Sequence, residues 1–159
     1  MKYFYDTEFI EDGKTIDLIS IGIIAEDGRT YYAISNEFDE SKASEWVKEN
    51  VIQQIRDSKY QQKWISKEQI KKDVVEFIGE DKPEFWAYYA DYDHVALCQL
   101  FGTMMDLPKN FPMYTRDIKQ LCDSKGNPRL PEQKTTEHNA LEDAKWNKLC
   151  YQFLTNDSV

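Results

Sequence analysis

A chain of 159 residues, 41% apolar and 31% charged, has the size and balance of one soluble globular domain spanning 1–159, and needs neither disulfides nor a structural zinc to build a core. Six glycines and five prolines exclude collagen-like, linker-rich and disordered classes. Twenty Lys and Arg against 29 Asp and Glu leave a formal charge of −9, which excludes a module that grips nucleic acid by overall positive charge; a polyanionic partner would have to be met through divalent cations held by clustered carboxylates.

In chain order, Tyr3 to Ile10 is a β-rich run closed by Asp12-Gly13, Ile16 to Ala25 is an aliphatic run closed by Asp27-Gly28, and Thr30 to Ser35 is a third short strand. Asp-Gly pairs between such runs predict hairpins, hence a three-stranded antiparallel meander. From about Ser41 to Gly79 apolar residues recur at helical intervals and predict two or three helices covering the sheet. Glu84 to Ala90 is a buried strand followed by a helix from about Asp93 to Met105, a parallel crossover. Pro112 to Tyr114 is a candidate fifth strand, Thr115 to Asp123 a helix, Ser124 to Thr136 a loop and Asn139 to Leu154 the last helix. The expected fold is therefore α/β, a mixed sheet of about five strands with helices on both faces and ligands gathering at strand ends. No apolar run approaches the roughly 20 residues of a membrane span and MKYFYDTEF has no signal-peptide pattern, so a cytoplasmic protein is expected. Cys98, Cys122 and Cys150, odd in number and far apart, are expected to be reduced core thiols.

Three features carry chemistry. Asp6 and Glu8 are two apart in a strand and leave the same face, which suits either a solvated acidic pair or half of a cation site. Asp93 follows the hydrophobic strand at a helix entrance, where it serves as an N-cap or as a site carboxylate at a strand's end. Asn139 with Glu142 three residues later has the pattern of a capping box, so His138 and Asp143 occupy the facing positions of a hydrophobic staple and set an imidazole beside a carboxylate. A surface ion pair is the plainer use of that geometry. His94, the second of two histidines, points about 100° away from Asp93 on a helix and is second choice for proton transfer. Taken together, four carboxylates at one sheet edge repel unless two Mg²⁺ or Mn²⁺ ions sit among them, and such a pair organises phosphoryl displacement. An imidazole, with an ordinary pKa of about 6.5, then has a proton to take from the attacking water.

These motifs, Asp6-Thr7-Glu8, Tyr92-Asp93 and His138-x4-Asp143, resemble those of the DEDDh exonucleases of the ribonuclease H-like superfamily. ISIGIIAEDG, WAYYADYDHVALCQLFG, DLP…FPMYTRDIKQL and HNALEDA are similar, more narrowly, to the small stand-alone bacterial and phage 3'-5' exoribonucleases first met in mycobacteria. The related subgroup with Tyr four residues before the last Asp is set aside, because that position is Asn139. The resemblance implies a ribonuclease H-like fold, Asp6, Glu8, Asp93 and Asp143 as ligands of two Mg²⁺ or Mn²⁺ ions, and His138 as general base. It also implies hydrolysis of single-stranded RNA from the 3' end to nucleoside 5'-monophosphates. Superfamily members are often homodimers. One departure is that the Asn usual four or five residues before the second-motif Asp is replaced by Tyr88 and Tyr89.

For substrate contacts the resemblance points to Thr7, Phe9 and Ile10 around the terminal nucleotide. Arg116 with Lys119, and Arg129 with Lys134, are cations able to meet phosphates, although a solvated charged face explains each as well. Tyr60 to Trp64 mixes aromatic and basic character, which helix packing also explains. The same chemistry on single-stranded DNA, and a catalytically silent nucleic-acid-binding domain, are the alternative readings; nothing in the sequence assigns a reader of the 2'-hydroxyl.

Overall fold

The computed structural model describes residues 1–58 and 64–156. The expected meander is present as β1 (Lys2–Glu11), β2 (Ile16–Ala25) and β3 (Thr30–Ser35), all antiparallel. The sheet has six strands rather than five, in the order β4-β3-β2-β1-β5-β6, because Trp64–Ile65 (β4) adds parallel to β3. β5 (Glu84–Ala87) and β6 (Arg116–Asp117) extend the other side in parallel. The last strand is thus not Pro112 to Tyr114 but the two residues at Arg116, which pair with Trp86 and Ala87. Of the aromatic–basic stretch from Tyr60, residues 60–63 lie outside the described residues, and Trp64 opens β4.

Helices cover both faces. On one face α3 (Lys67–Ile78) and α4 (Asp91–Phe101) pack on Tyr3, Tyr5, Ile21 and Ile23. On the other, α5 (Ile118–Ser124) and α6 (Ala140–Thr155) pack on Phe4 and Trp86. Beside α6, a helical stretch made of α1 (Glu45–Val47), a π turn (Lys48–Ile52) and α2 (Gln53–Asp57) covers Ile10, Ile19 and Ile34. Period-2 alternation in β1 sorts its side chains between these layers, as Tyr3 and Tyr5 against Phe4 show. All three cysteines are free and buried. Among the described residues no helix is long and apolar enough to cross a membrane.

Two details place the site. β5 pairs with β1 only from Lys2 to Phe4, so from Tyr5 onward that edge of β1 is open where α4 departs. A register shift between Glu8 and Phe9 adds Ile19 on β2 and bends the strand at its acidic pair, as bulges beside active sites do. Gly22 pairs with Asp6 and lies directly beneath the first turn of α6: an added Cβ would stand 2.3 Å from the Leu141 nitrogen and 2.4 Å from the Ala140 carbonyl carbon. Gly22→Ala therefore has to lift the end of α6 that carries His138 and Asp143. Because the obstacle is backbone, the variant is expected to lose about 3 kcal/mol or more, a fall in Tm of roughly 6–12 °C. A thermal unfolding curve matching wild type would contradict this account of the β2–α6 contact.

Candidate active site

Asp6 and Glu8 stand on β1, Asp93 in the first turn of α4, and His138 and Asp143 at the start of α6, so the four acidic residues and the imidazole come from three separated parts of the chain. Glu8, His138 and Asp143 each bring a ligand atom within 4.8 Å of the others'. Asp93 is buried at 4% exposure, and Asp6, Glu8, His138 and Asp143 are half-buried. Asp93 is not a helix cap; Ala90 takes that place with no side-chain hydrogen bond. Instead the open edge of β1 lets Thr7 donate to Asp93 Oδ1 through both its backbone N–H, at 2.9 Å, and its hydroxyl. Thr7, expected at the substrate, is itself buried and serves to hold Asp93.

At α6 the cap forms as the sequence predicts. Asn139 Oδ1 accepts from the Leu141 and Glu142 N–H groups at 3.1 and 3.0 Å. Glu142 does not close a box; its carboxylate takes Lys145 at 3.0 Å. His138 is turned into the left-handed region, φ 64°, which brings its backbone N–H to Asp143 Oδ2 at 3.1 Å. Gln133 Nε2 donates to Asp143 Oδ1 at 2.7 Å, and Trp146 Nε1 donates to the Pro131 carbonyl, fastening the preceding loop onto α6. Asn147, 1% exposed, donates from Nδ2 to the Tyr5 carbonyl at 3.0 Å and ties α6 to the open edge of β1.

The electrostatics follow from crowding. Burial raises Asp6 well above the ordinary carboxylate range, and the charges of Asp93, Glu8 and Asp143 add to it. Burial likewise raises Glu8, which lies close enough to Asp143 and Asp6 to share a proton with them. Burial pushes Asp93 up to about 7 against the two Thr7 hydrogen bonds that pull it down. Asp143 is raised by burial despite hydrogen bonds from Gln133 and Glu8 and the nearby His138. Asp6 Oδ2 is buried with no hydrogen-bond partner among the described residues. A buried acceptor without a donor is costly, and carboxylates this close hold charge only with a cation among them. Hard oxygen donors with one lone pair unmet are the donor set that Mg²⁺ or Mn²⁺ takes, so the residues fit divalent cations.

The expected substrate contacts are dispersed. Phe9 lies on the α4 side, its ring edge-on to Tyr92 at 5.8 Å. Ile10 is buried at 2% beneath the α1–α2 stretch. Arg116, on the outer strand, pairs with Glu84 at 3.7 Å and lies over Trp86 and Tyr114, in register through Trp86 with Phe4 of β1. Lys119 pairs with Asp123, and Arg129 and Lys134 are exposed on the loop before His138. Tyr88 packs edge-on against Trp146, while Tyr89, at φ 52° and exposed, gives its N–H to Asp117 Oδ1 at 3.0 Å. His94 is turned from the cleft, with Nδ1 3.0 Å from Thr115 Oγ1 and Nε2 3.4 Å from Cys98 Sγ. Gln133, Asn147 and Trp46, whose ring meets His138, carried no sequence signal beyond their residue type.

Over residues 1–155 the chain matches the family described as 3'-5' exoribonuclease Rv2179c-like domain. It is 51% identical over 148 residues to the 3'-5' exoribonuclease Rv2179c of Mycobacterium tuberculosis strain ATCC 25618 / H37Rv, covering 91% of this chain and 88% of that protein. The same figures hold for the 3'-5' exoribonuclease MT2234.1 of strain CDC 1551 / Oshkosh. The nuclease domain of 3'hExo, a DEDDh family member bound to rAMP, superposes with a TM-score of 0.63 at 11% identity over 99% of this chain and 92% of its own. A yeast NOT1 MIF4G domain structure co-crystallized with CAF1 gives a TM-score of 0.51 at 15% identity over 98% and 80%. The ribonuclease H-like topology is thus shared with DEDDh nucleases, and the match along nearly the whole length, with half the aligned residues identical, makes the chain a member of the Rv2179c-like 3'-5' exoribonuclease domain family.

Proposed function

We propose that the protein is a divalent-metal-dependent 3'-5' exoribonuclease that shortens single-stranded RNA one nucleotide at a time. The observation that supports this reading is an unpartnered buried oxygen on Asp6, crowded by the charges of Asp93, Glu8 and Asp143, beside the approach of Glu8, His138 and Asp143 to within 4.8 Å of one another. The four carboxylates would hold two Mg²⁺ or Mn²⁺ ions. When bound, such ions neutralise charge on the scissile phosphate and make water a stronger nucleophile.

The chain's own residues do the rest. Thr7 holds Asp93 in place and favours its ionised form against burial, and Gln133 with the His138 N–H does the same for Asp143. His138 takes a proton from the attacking water as its oxygen bonds to phosphorus; the bond from phosphorus to the upstream 3'-oxygen breaks. A nucleoside 5'-monophosphate leaves, and the shortened chain regains a 3'-hydroxyl by taking a proton from solvent. Phe9, edge-on to Tyr92 near the acidic pair, offers a ring to the terminal base. Cytoplasmic action belongs to the same reading as an expectation from the sequence, and so does a homodimer, supported by analogy with the superfamily.

Incubation of 5'-labelled single-stranded RNA and DNA with Mg²⁺ or Mn²⁺, with and without EDTA, tests the proposal. A one-nucleotide ladder receding from the 3' end of RNA, abolished by EDTA, is expected. Faster shortening of DNA would replace it by the exodeoxyribonuclease reading, and no shortening of either polymer by a binding domain. Thr7→Val removes a hydroxyl that favours ionised Asp93, so protons compete better with metal. Hydrogen bonds to charged groups contribute about 1.5–3 kcal/mol. Calorimetry with Mn²⁺ is therefore expected to show roughly ten-fold or more weaker binding at pH 6.5, with the deficit shrinking by pH 8. An equal affinity at both pH values would remove Thr7 from that role.

A further inference from the structure

The helical stretch that opens with α1 carries an indole to His138. Ser44 caps α1 by accepting from the Val47 N–H at 3.2 Å, and the helix then widens into the π turn Lys48–Ile52. Insertions of this type recur at functional sites. Val51, Ile52 and Ile55 face the sheet and are buried, whereas Trp46 is left 54% exposed, and Asn50 Nδ2 donates to its carbonyl at 2.9 Å in the widened turn. Its ring meets the imidazole of His138, 92 residues away, at 4.9 Å between centroids and 87° between planes. Edge-to-face is the attractive arrangement of two such rings. Among the described residues the hydrogen bond given to His138 holds its backbone, the N–H on Asp143, and none holds its imidazole. A left-handed non-glycine residue is held only where its surroundings over-determine it.

We propose that Trp46 is a positioning residue for His138, its ring fixing the imidazole's orientation over the Glu8 and Asp143 carboxylates. The inference rests on the functional reading above, in which His138 moves the proton. A large exposed indole would serve no packing purpose where it stands, since the core beneath α1–α2 closes without it. Its ring contact is with His138, and an effect that passes through His138 is what separates it from a residue that simply holds substrate.

The test is a double-mutant cycle on 5'-labelled single-stranded RNA at saturating Mn²⁺, with kcat and KM measured separately. Trp46→Ala is expected to lower kcat about ten-fold with KM within about two-fold, and Trp46→Phe to restore most of the rate. In a His138→Ala background Trp46→Ala should add nothing. Trp46→Leu, which keeps apolar bulk without a ring, should behave as Ala does and guards against a folding defect. A loss confined to KM, or the same loss in the His138→Ala background, would overturn the inference and make the ring a substrate contact. NMR supplies a readout free of turnover: of the two histidines, only the His138 ring protons should shift on Trp46→Ala. Unmoved signals would show that the contact is absent in solution. A wild-type protein that leaves RNA intact would instead sink the functional reading itself.

Discussion

Glu8→Gln and Asp143→Asn are each expected to lower turnover by about 10³-fold or more while making the metal-free protein more stable. Stabilising charge at a transferring phosphoryl group is worth several kcal/mol, and each 1.36 kcal/mol is ten-fold in rate. The stability gain follows from the direction of the shifts. Asp6, Glu8, Asp93 and Asp143 are all raised by burial, so the folded chain binds their protons more tightly than the unfolded chain does. Their favourable contribution is complete below the ordinary carboxylate range, near pH 4. It is lost as pH climbs through the folded values, of which Asp93 lies at about 7. Toward alkaline pH without metal the wild type bears more of this burial cost and repulsion, and an amide variant is relieved of part of it. Thermal unfolding in EDTA from pH 4 to 8.5 should show the variant's Tm above wild type at the alkaline end, with the gap closing toward pH 4. Mg²⁺ or Mn²⁺ should raise the wild-type Tm more than the variant's. Coincident Tm profiles, or full turnover in either variant, would take that residue out of the cation site.

His138→Ala is expected to cost about 10²–10⁴ in rate, the range of a positioned acid or base, while Mn²⁺ binding is largely kept. The imidazole lies with its ligand atom within 4.8 Å of Glu8 and Asp143, close enough to receive a proton at the cleft. His94 is committed elsewhere, to Thr115 and Cys98, so His94→Ala should change kcat only a few-fold. Single-turnover kinetics with calorimetry separates the two losses. A His138→Ala rate within a few-fold of wild type would move proton transfer to His94 or to solvent, and a collapse of metal affinity would make His138 a ligand instead.

What could be read from the chain alone was whatever repeats locally. Ten-residue strands with Asp-Gly turns, and a helix announced by Asn139, have a period or a cap, and that cap correctly set His138 and Asp143 together. Two-residue strands have no period, so β4 was missed and β6 was looked for at Pro112 to Tyr114. The carboxylates could be singled out because Asp6-x-Glu8 on a strand, Asp93 at a helix entrance and His138-x4-Asp143 at a cap occur in the order that the family resemblance requires. Their supports were not: Gln133 and Asn147 are ordinary amides until the fold brings one to Asp143 and the other to Tyr5, residues 10 and 142 positions away. Gly22 sits within an aliphatic run with nothing to mark the helix above it. Arg116 could be read as a cation but its partner could not, since Glu84, which pairs with it, comes from the adjacent strand 32 positions earlier.

On the proposed reading these acidic groups form one cation site. Calorimetric titration of Mn²⁺ into the metal-free protein at pH 6.5 in two buffers of different ionisation enthalpy tests it most directly. Two ions should bind per chain, with protons released because raised carboxylates must ionise to coordinate, and uptake should be crippled in Asp6→Asn. Absence of binding heat in both buffers, or undiminished uptake by Asp6→Asn, would contradict it.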